Sequence, residues 1–437
     1  MKRFLTFIII AAVFAACKPD INQFTASKGD ADFSRYVSLG NSITSGYTNG
    51  ALYQSGQKYS YPSILAQQFK LVGGGDFKQP IVPNEVGVID GNPNKLILGP
   101  SFDCTTGTYS LGPVPCTGTK ASPAVAVGYH VNNLGVPGAK SFHLLAPGYG
   151  NIAGLFTTPI TANPYYVRFA SSTTSRVIDE VQYINPTFFT LWIGNNDVLQ
   201  YALNGGSADS ITSPSYFGQA IGATVQALTA NGSKGAIATI PDVTSIPYFT
   251  TVPYNGLVLK DPAQVAGLNA AYSALGIQFH LGQNPFIMKD VTAPGQLRAM
   301  KPGELVLVTI PRDSICAGWG SMKPIPPQFI LDLTEVNNLK TAVAAYNVII
   351  ANLAASKNLA LVDMNSYLKS FQQGVYVNGV MYNSQFVTGG VFSLDGIHPT
   401  SRGNALIANY FIQAINTKYN SQIPMVNVND YPGIAFP

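Results

Sequence analysis

Short, nearly unbroken apolar runs recur along this chain, and each stops at Gly, Pro or Asn. Tyr36-Val-Ser-Leu-Gly40 is the first; the stretch 186–193, with Thr-Phe-Phe-Thr-Leu-Trp at its centre, is a continuous one; 235–240 and 359–363 repeat the form. Such runs, without polar alternation, suit strands buried on both faces. Residues 129–133 and 304–310 read as further strands. Between the runs the apolar spacing becomes helical. Ile64, Leu65 and Phe69 share one face of 62–70, and helices are predicted around 174–183 and over 216–230, 262–279, 332–356 and 402–418. Strands alternating with helices predict an α/β fold, a mostly parallel sheet with helices on both faces.

The pattern lapses in places. Residues 71–126 begin with Gly73-Gly74-Gly75 and are rich in Pro and Asn without a sustained period, which predicts a loop insertion with little regular structure. A second irregular stretch runs through Pro147 and Tyr165. No repeat or Pro/Ser linker divides the body, so the expectation is one domain over 34–420, preceded by a polar tether at 18–33 and followed by a tail at 421–437.

Composition narrows the class. The 437 residues are only 11% charged with a net charge of +4, and Lys and Arg do not cluster, which argues against a nucleic-acid partner. Lys2-Arg3, an apolar run from Phe4 to Phe14 and then Ala15-Ala16-Cys17 have the form of an export signal. A cysteine directly after small residues resembles the lipobox of bacterial lipoproteins, which implies lipidation of Cys17 and a membrane partner through that anchor. Lys18 lacks the acidic inner-membrane retention signal, so the outer membrane is the expected location, with its face and the oligomeric state left open. No later segment is read as a run of the ~20 apolar residues needed to span a bilayer. Export permits disulfides. Cys104 with Cys116 is the expected pair, leaving Cys316 over. Neither C-x-x-C nor H-E-x-x-H occurs, and no metal or organic cofactor is expected.

Candidate chemistry gathers where strands end. In an open α/β sheet ligands bind beyond the carboxyl ends of the strands. Ser42, Gly138 and Asn196 each follow a predicted strand, and Asp395 and His398 sit in the loop before the last helix. Separately each has an ordinary explanation: a turn serine, a turn glycine, a helix cap at Asn196-Asp197, a local Asp–His pair or two metal ligands. Together Gly40-Asn41-Ser42-Ile43-Thr44, Asn133 through Gly138, Gly194-Asn195-Asn196-Asp197 and Asp395-Gly-Ile-His398-Pro resemble, in order, the four blocks of the SGNH/GDSL hydrolases.

That resemblance implies a three-layer, flavodoxin-like α/β/α sandwich and a serine esterase or acylhydrolase working through an acyl-enzyme. Carried over residue by residue, it makes Ser42 the nucleophile, His398 the base and Asp395 the carboxylate that orients it. The oxyanion hole would use the N–H groups of Ser42 and Gly138 and the amide of Asn196. Asn41 stands where the family usually has Asp, and the sequence gap from Ser42 to Gly138 is wide, which brings 71–126 toward the site. The G-x-S-x-G elbow of a different hydrolase fold is absent. Family substrates include acetylated carbohydrates, lipids and thioesters, with glycan deacetylation favoured here by analogy. The rival readings are a glycan- or lipid-binding surface lipoprotein that kept the fold without turnover, and a metal-dependent hydrolase using Asp395 and His398. His130, His143, His280, Trp192 and Trp319 read as packing or surface residues.

Overall fold

A computed structural model describes residues 24–104 and 108–437. The expected signal segment and Cys17 lie outside the described residues.

In chain order the site-bearing elements are β1 (Tyr36–Gly40), α1 (Ser42–Ser45), α2 (Tyr61–Lys70), β2 (Leu96–Asp103), β3 (Thr108–Pro115), β4 (Asn133–Gly135), β5 (Phe188–Trp192), α3 (Asn196–Leu203), α4 (Pro214–Thr229), β6 (Lys234–Ala238), α5 (Leu333–Ser356), β7 (Ala360–Val362) and α6 (Ser401–Tyr419). Five of the strands form one sheet in the order β7-β6-β5-β1-β4, every neighbouring pair parallel. The run at 188–192 is buried at every position, as its unbroken apolar sequence requires. Helices α2 and α6 pack together on one face and α3, α4 and α5 on the other, giving the three layers. Among the described residues α5 alone is long and apolar enough to cross a membrane; here Val336, Leu339, Tyr346 and Ile350 bury it in the core.

The strand order has a consequence for the site. The connection from β1 runs outward to the edge strand β4, whereas β5 lies on the other side of β1 and leads away to β6 and β7. The crevice beyond β1 and β5 is therefore the switch point where such sheets bind ligands. Register sharpens this: Gly40 at the end of β1 sits level with Trp192 of β5 and with Gly135 of β4. The residues that follow all three strands emerge on one edge.

Several expectations need correction. The strand read at 129–133 is instead the three residues of β4, shifted toward Gly135. The run at 304–310 does not join the sheet; Leu305–Val306 pairs with Ile330–Leu331, and Val306 and Ile310 fill a separate small core with Phe286 and Met288. An apolar run of that length specifies burial but not which core it enters. The whole stretch between β6 and α5 is thus a second insertion, built around three short antiparallel ribbons.

The first insertion is also more regular than its composition suggests. Strands β2 and β3 form a hairpin paired along its full length, and Val82 and Val88 pack with Tyr47, Leu52 and Tyr165 to root it beside the sheet. Its geometry overturns the expected Cys104–Cys116 disulfide. Cys104 lies at the hairpin tip and Cys116 just past the base, so the eight-residue strands hold them about 25 Å apart at ~3.3 Å per residue. A disulfide needs Cα atoms within about 7 Å. Cys104 pairs with Cys316 instead, at a Cα separation of 6.1 Å, and among the described residues Cys116 is the free thiol. The bond joins the two insertions.

From Ser27 to Phe33 the stretch expected to be tether is instead docked on the body. Ser27 pairs with Gln422, the Asp30 N–H donates to the Tyr419 carbonyl at 2.7 Å, and Phe33 is buried and stacked on Phe69 at 4.2 Å. The tail at 421–437 is likewise docked, through buried Ile423 and Val428.

Candidate active site

Ser42 opens the short helix α1, whose N-cap is Asn41: its side-chain oxygen accepts the Ile43 N–H at 3.2 Å. The Asn41 amide donates to Asn195 Oδ1 at 3.1 Å, tying the loop after β1 to the loop after β5. That contact accounts for Asn41 as a bond between loops. Helix α1 sits hard against β4, where a Cβ on Gly135 would come within 2.3 Å of the Ser45 nitrogen. Only glycine allows that approach.

His398 reaches the same point from the far end of the chain. Its Nε2 is 2.8 Å from Ser42 Oγ, and its Nδ1 is 2.9 Å from Asp395 Oδ2. A carboxylate only accepts hydrogen bonds, so Nδ1 must carry a proton, and whenever the ring is neutral Nε2 is left to accept from the serine hydroxyl. Asp395 is itself fully engaged. Oδ1 accepts from the N–H groups of Ile397 at 2.9 Å and His398 at 2.8 Å and from the Ser393 hydroxyl at 3.0 Å, while Oδ2 also accepts the Gly50 N–H at 2.7 Å. Burial pushes its carboxyl group up, but the charge and hydrogen bonds of His398 and the backbone donors outweigh this and hold it at about 2.

Gly138 and Asn196 stand across the same cleft. Gly138 adopts φ +79°, which aims the turn after β4 in a way that a side chain would oppose. Asn196 begins α3, and its amide donates to the Ala139 carbonyl at 2.9 Å, leaving a second amide hydrogen. Asp197, which read as a helix cap, does something else. Its buried carboxylate accepts from the Ser141 N–H at 2.8 Å and hydroxyl at 2.7 Å, pinning the turn that follows Gly138 to α3. Burial raises its pKa.

All five residues picked from the sequence therefore line one cavity of about 710 Å³. The first insertion contributes Asn92 and Asn94 to its walls, α3 contributes Leu199 and Leu203, and the second insertion contributes Tyr248 and Arg312. Two of the tyrosines that the sequence offered within 47–61 and 165–166 as an apolar or sugar-stacking rim, Tyr47 and Tyr165, also line it, and the Tyr47 ring packs on His398 at 4.7 Å; sequence reading missed the neighbouring Asn49 and Gly50. The signal was present as an Asn-Gly turn a few residues after the Gly40–Thr44 block. Of the other histidines, His130 stacks on Tyr183 at 3.9 Å, His143 stacks on Tyr149 at 4.6 Å, and His280 is exposed.

One family model and several solved structures match the chain. The family model for GDSL-like lipase/acylhydrolase matches residues 36–411. No curated protein sequence matches the chain. Similar solved structures include a putative GDSL-like lipase from Parabacteroides merdae, 9% identical, covering 89% of this chain and 99% of its own with a TM-score of 0.35. An extracellular lipase from Streptomyces rimosus is 10% identical over 88% of this chain and 98% of its own, also at 0.35. An acetyl xylan esterase is 14% identical over 87% of this chain and 98% of its own at 0.32. Superpositions this loose carry no argument about substrate; the match over 36–411 is what identifies the chain as a member of the GDSL-like lipase/acylhydrolase family, a family of ester-cleaving hydrolases.

Proposed function

We propose that the protein is a serine acylhydrolase in which Ser42, His398 and Asp395 act as nucleophile, base and orienting carboxylate. The observation that carries this reading is the unbroken relay from Ser42 Oγ through the imidazole to Asp395, at 2.8 and 2.9 Å, opening on the 710 Å³ cleft. Nε2 takes the hydroxyl proton as Oγ attacks the ester carbonyl, and the same proton is returned to the departing alcohol. The imidazolium formed in that step is stabilised by the carboxylate behind it. The Ser42 and Gly138 N–H groups and the Asn196 amide receive the developing oxyanion. Water then repeats the cycle on the acyl-enzyme and releases the acid.

For the substrate we propose a short-chain ester of a polar alcohol, with carbohydrate esters first among them. The cleft volume suits a whole small molecule rather than an acetyl group alone. Its polar Asn92 and Asn94 support a hydroxylated partner, and Leu199 and Leu203 support a short acyl chain. We also propose lipidation at Cys17 and outer-membrane attachment. Partition of the full-length protein into detergent, lost in Cys17→Ala, tests that point.

The functional test is hydrolysis of p-nitrophenyl acetate, butyrate and octanoate, and of acetylated oligosaccharides, by residues 18–437 and by Ser42→Ala. Turnover should vanish in the variant and favour the shorter acids. Equal turnover by both proteins refutes the serine mechanism, and a steady rise toward octanoate refutes the short-chain assignment.

A further inference from the structure

The contacts within the Asp395–His398 loop fix those two side chains relative to each other. Ile397 N–H, His398 N–H and Ser393 Oγ all belong to that loop, and all three bind Asp395. None of them determines where the pair sits relative to Ser42, which lies on the other side of the sequence. Something else must set that distance.

We propose that the turn at residues 47–50, with Asn49 as its principal positioning residue, registers the acid–base loop against the nucleophile. This inference rests on the serine mechanism above. The turn grows directly from the nucleophile helix, with the Tyr47 N–H donating to the Ser42 carbonyl at 3.0 Å, and it is closed by reciprocal N–H···O bonds between Thr48 and Ala51 at 3.1 Å each. From this rigid base it grips the opposite loop at successive points. The Asn49 N–H donates to Ser393 Oγ at 2.9 Å, and Asn49 Oδ1 accepts the Leu394 N–H at 3.1 Å. Gly50 N–H reaches Asp395 Oδ2 at 2.7 Å, and Thr48 Oγ1 donates to the Pro399 carbonyl at 2.9 Å. The ring of Tyr47 backs the imidazole.

Asn49 suits this task better than other residues. It sits at φ +50°, a conformation Asn tolerates. Its side chain works in two directions, accepting from Leu394 and donating to the Tyr53 hydroxyl at 2.8 Å. Ser393 relays the grip, since the hydroxyl that accepts from Asn49 donates to Asp395 at 3.0 Å. Nucleophile, turn and acid–base loop therefore behave as one piece.

The test uses Asn49→Gly, Asn49→Asp and Ser393→Ala in residues 18–437, with kcat, KM and thermal melting measured for each. Gly keeps the backbone conformation and removes both side-chain bonds, whereas Asp keeps the acceptor for Leu394. The expected result is a fall in kcat of about 10-fold to 10²-fold for Asn49→Gly with KM within about twofold, as for other small misplacements of catalytic groups. Asn49→Asp should recover most of the loss. Ser393→Ala deletes one buried hydroxyl and should lower kcat in the same manner, which keeps the test available if Asn49→Gly folds poorly. Wild-type kcat in folded Asn49→Gly overturns the proposal, as does an Asp variant no better than Gly. Wild-type kcat in Ser393→Ala, where Asn49→Gly does not fold, overturns it equally. Ser42→Ala run alongside separates the two failures: if it matches wild type, the serine mechanism itself has fallen.

Discussion

Replacing Asp395 by Asn changes one oxygen to an NH2 group with almost no change of shape, so its effect can be worked from the hydrogen bonds. Oδ1 accepts from three donors and Oδ2 from two. The amide will therefore keep its oxygen at the Oδ1 side, where reversal would set three donors against the NH2 instead of two. At the Oδ2 side the Gly50 N–H then loses its acceptor, a buried vacancy costing about 1–3 kcal/mol of stability. The second conflict, with His398 Nδ1–H, is relieved when the imidazole changes tautomer and Nδ1 accepts from the amide. Nε2 then carries the proton and points it at Ser42 Oγ, 2.8 Å away. A base already protonated at that nitrogen cannot take the serine hydrogen, and the loss in a serine triad of this kind is ~10⁴ in kcat, or about 5 kcal/mol of barrier. The assay is kcat on a p-nitrophenyl ester together with a thermal melt, so that loss of fold is distinguished from loss of proton transfer. A folded Asp395→Asn protein that retained a tenth or more of wild-type turnover would refute the tautomer argument and the role assigned to Asp395.

Further outcomes follow from the same contacts. Asn196→Ala removes one of the proposed oxyanion donors and should lower kcat about 10²–10³-fold with little change in KM, measured on the same ester. Asp395 is held at about 2 against an ordinary 3.8. A carboxylate depressed in this way adds stability above its unfolded value and gives it up as the pH falls, here between about pH 4 and pH 2, for a total of about 2 kcal/mol. Acid unfolding followed by circular dichroism should accordingly be steeper over that window in wild type than in Asp395→Asn. Replacing Cys104 and Cys316 by Ser should destabilise the protein by about 2–4 kcal/mol in denaturant titrations and raise KM for bulky esters, because both insertions line the cleft. Cys116→Ser should do neither, and thiol titration of unreduced, unfolded residues 18–437 should find one free group.

The layered fold was legible in the chain because buried parallel strands must be nearly all apolar. Runs such as 36–40 and 188–192 fit no half-exposed arrangement, and the helices between them declare their buried faces by spacing. Three of the four blocks were legible only through their resemblance to the family, and the last was legible for a local reason as well. Asp395 and His398 are three residues apart and meet within one loop, so their pairing is local. The sequence could not say which core the run at 304–310 enters, since burial leaves the same signature in either. Nor could it pair the cysteines. Cys104 and Cys116 are close along the chain, but hairpin pairing drives them to opposite ends of a rigid ladder, and only the packing of two insertions brings Cys316 to Cys104.

What the sequence alone determined, then, was everything fixed by periodicity and by short-range chemistry: the α/β layers, the residues at the strand ends, and the Asp–His pair. The tertiary structure decided the rest, because distances across the sheet edge depend on register and on loops far apart in the chain. The level ends of β1, β4 and β5 bring Ser42, Gly138 and Asn196 to one edge. The turn at 47–50 sets the loop at 393–399 against them, a contact between segments more than 340 residues apart. No local pattern encodes such a contact, since its partners become neighbours only when the core closes around them.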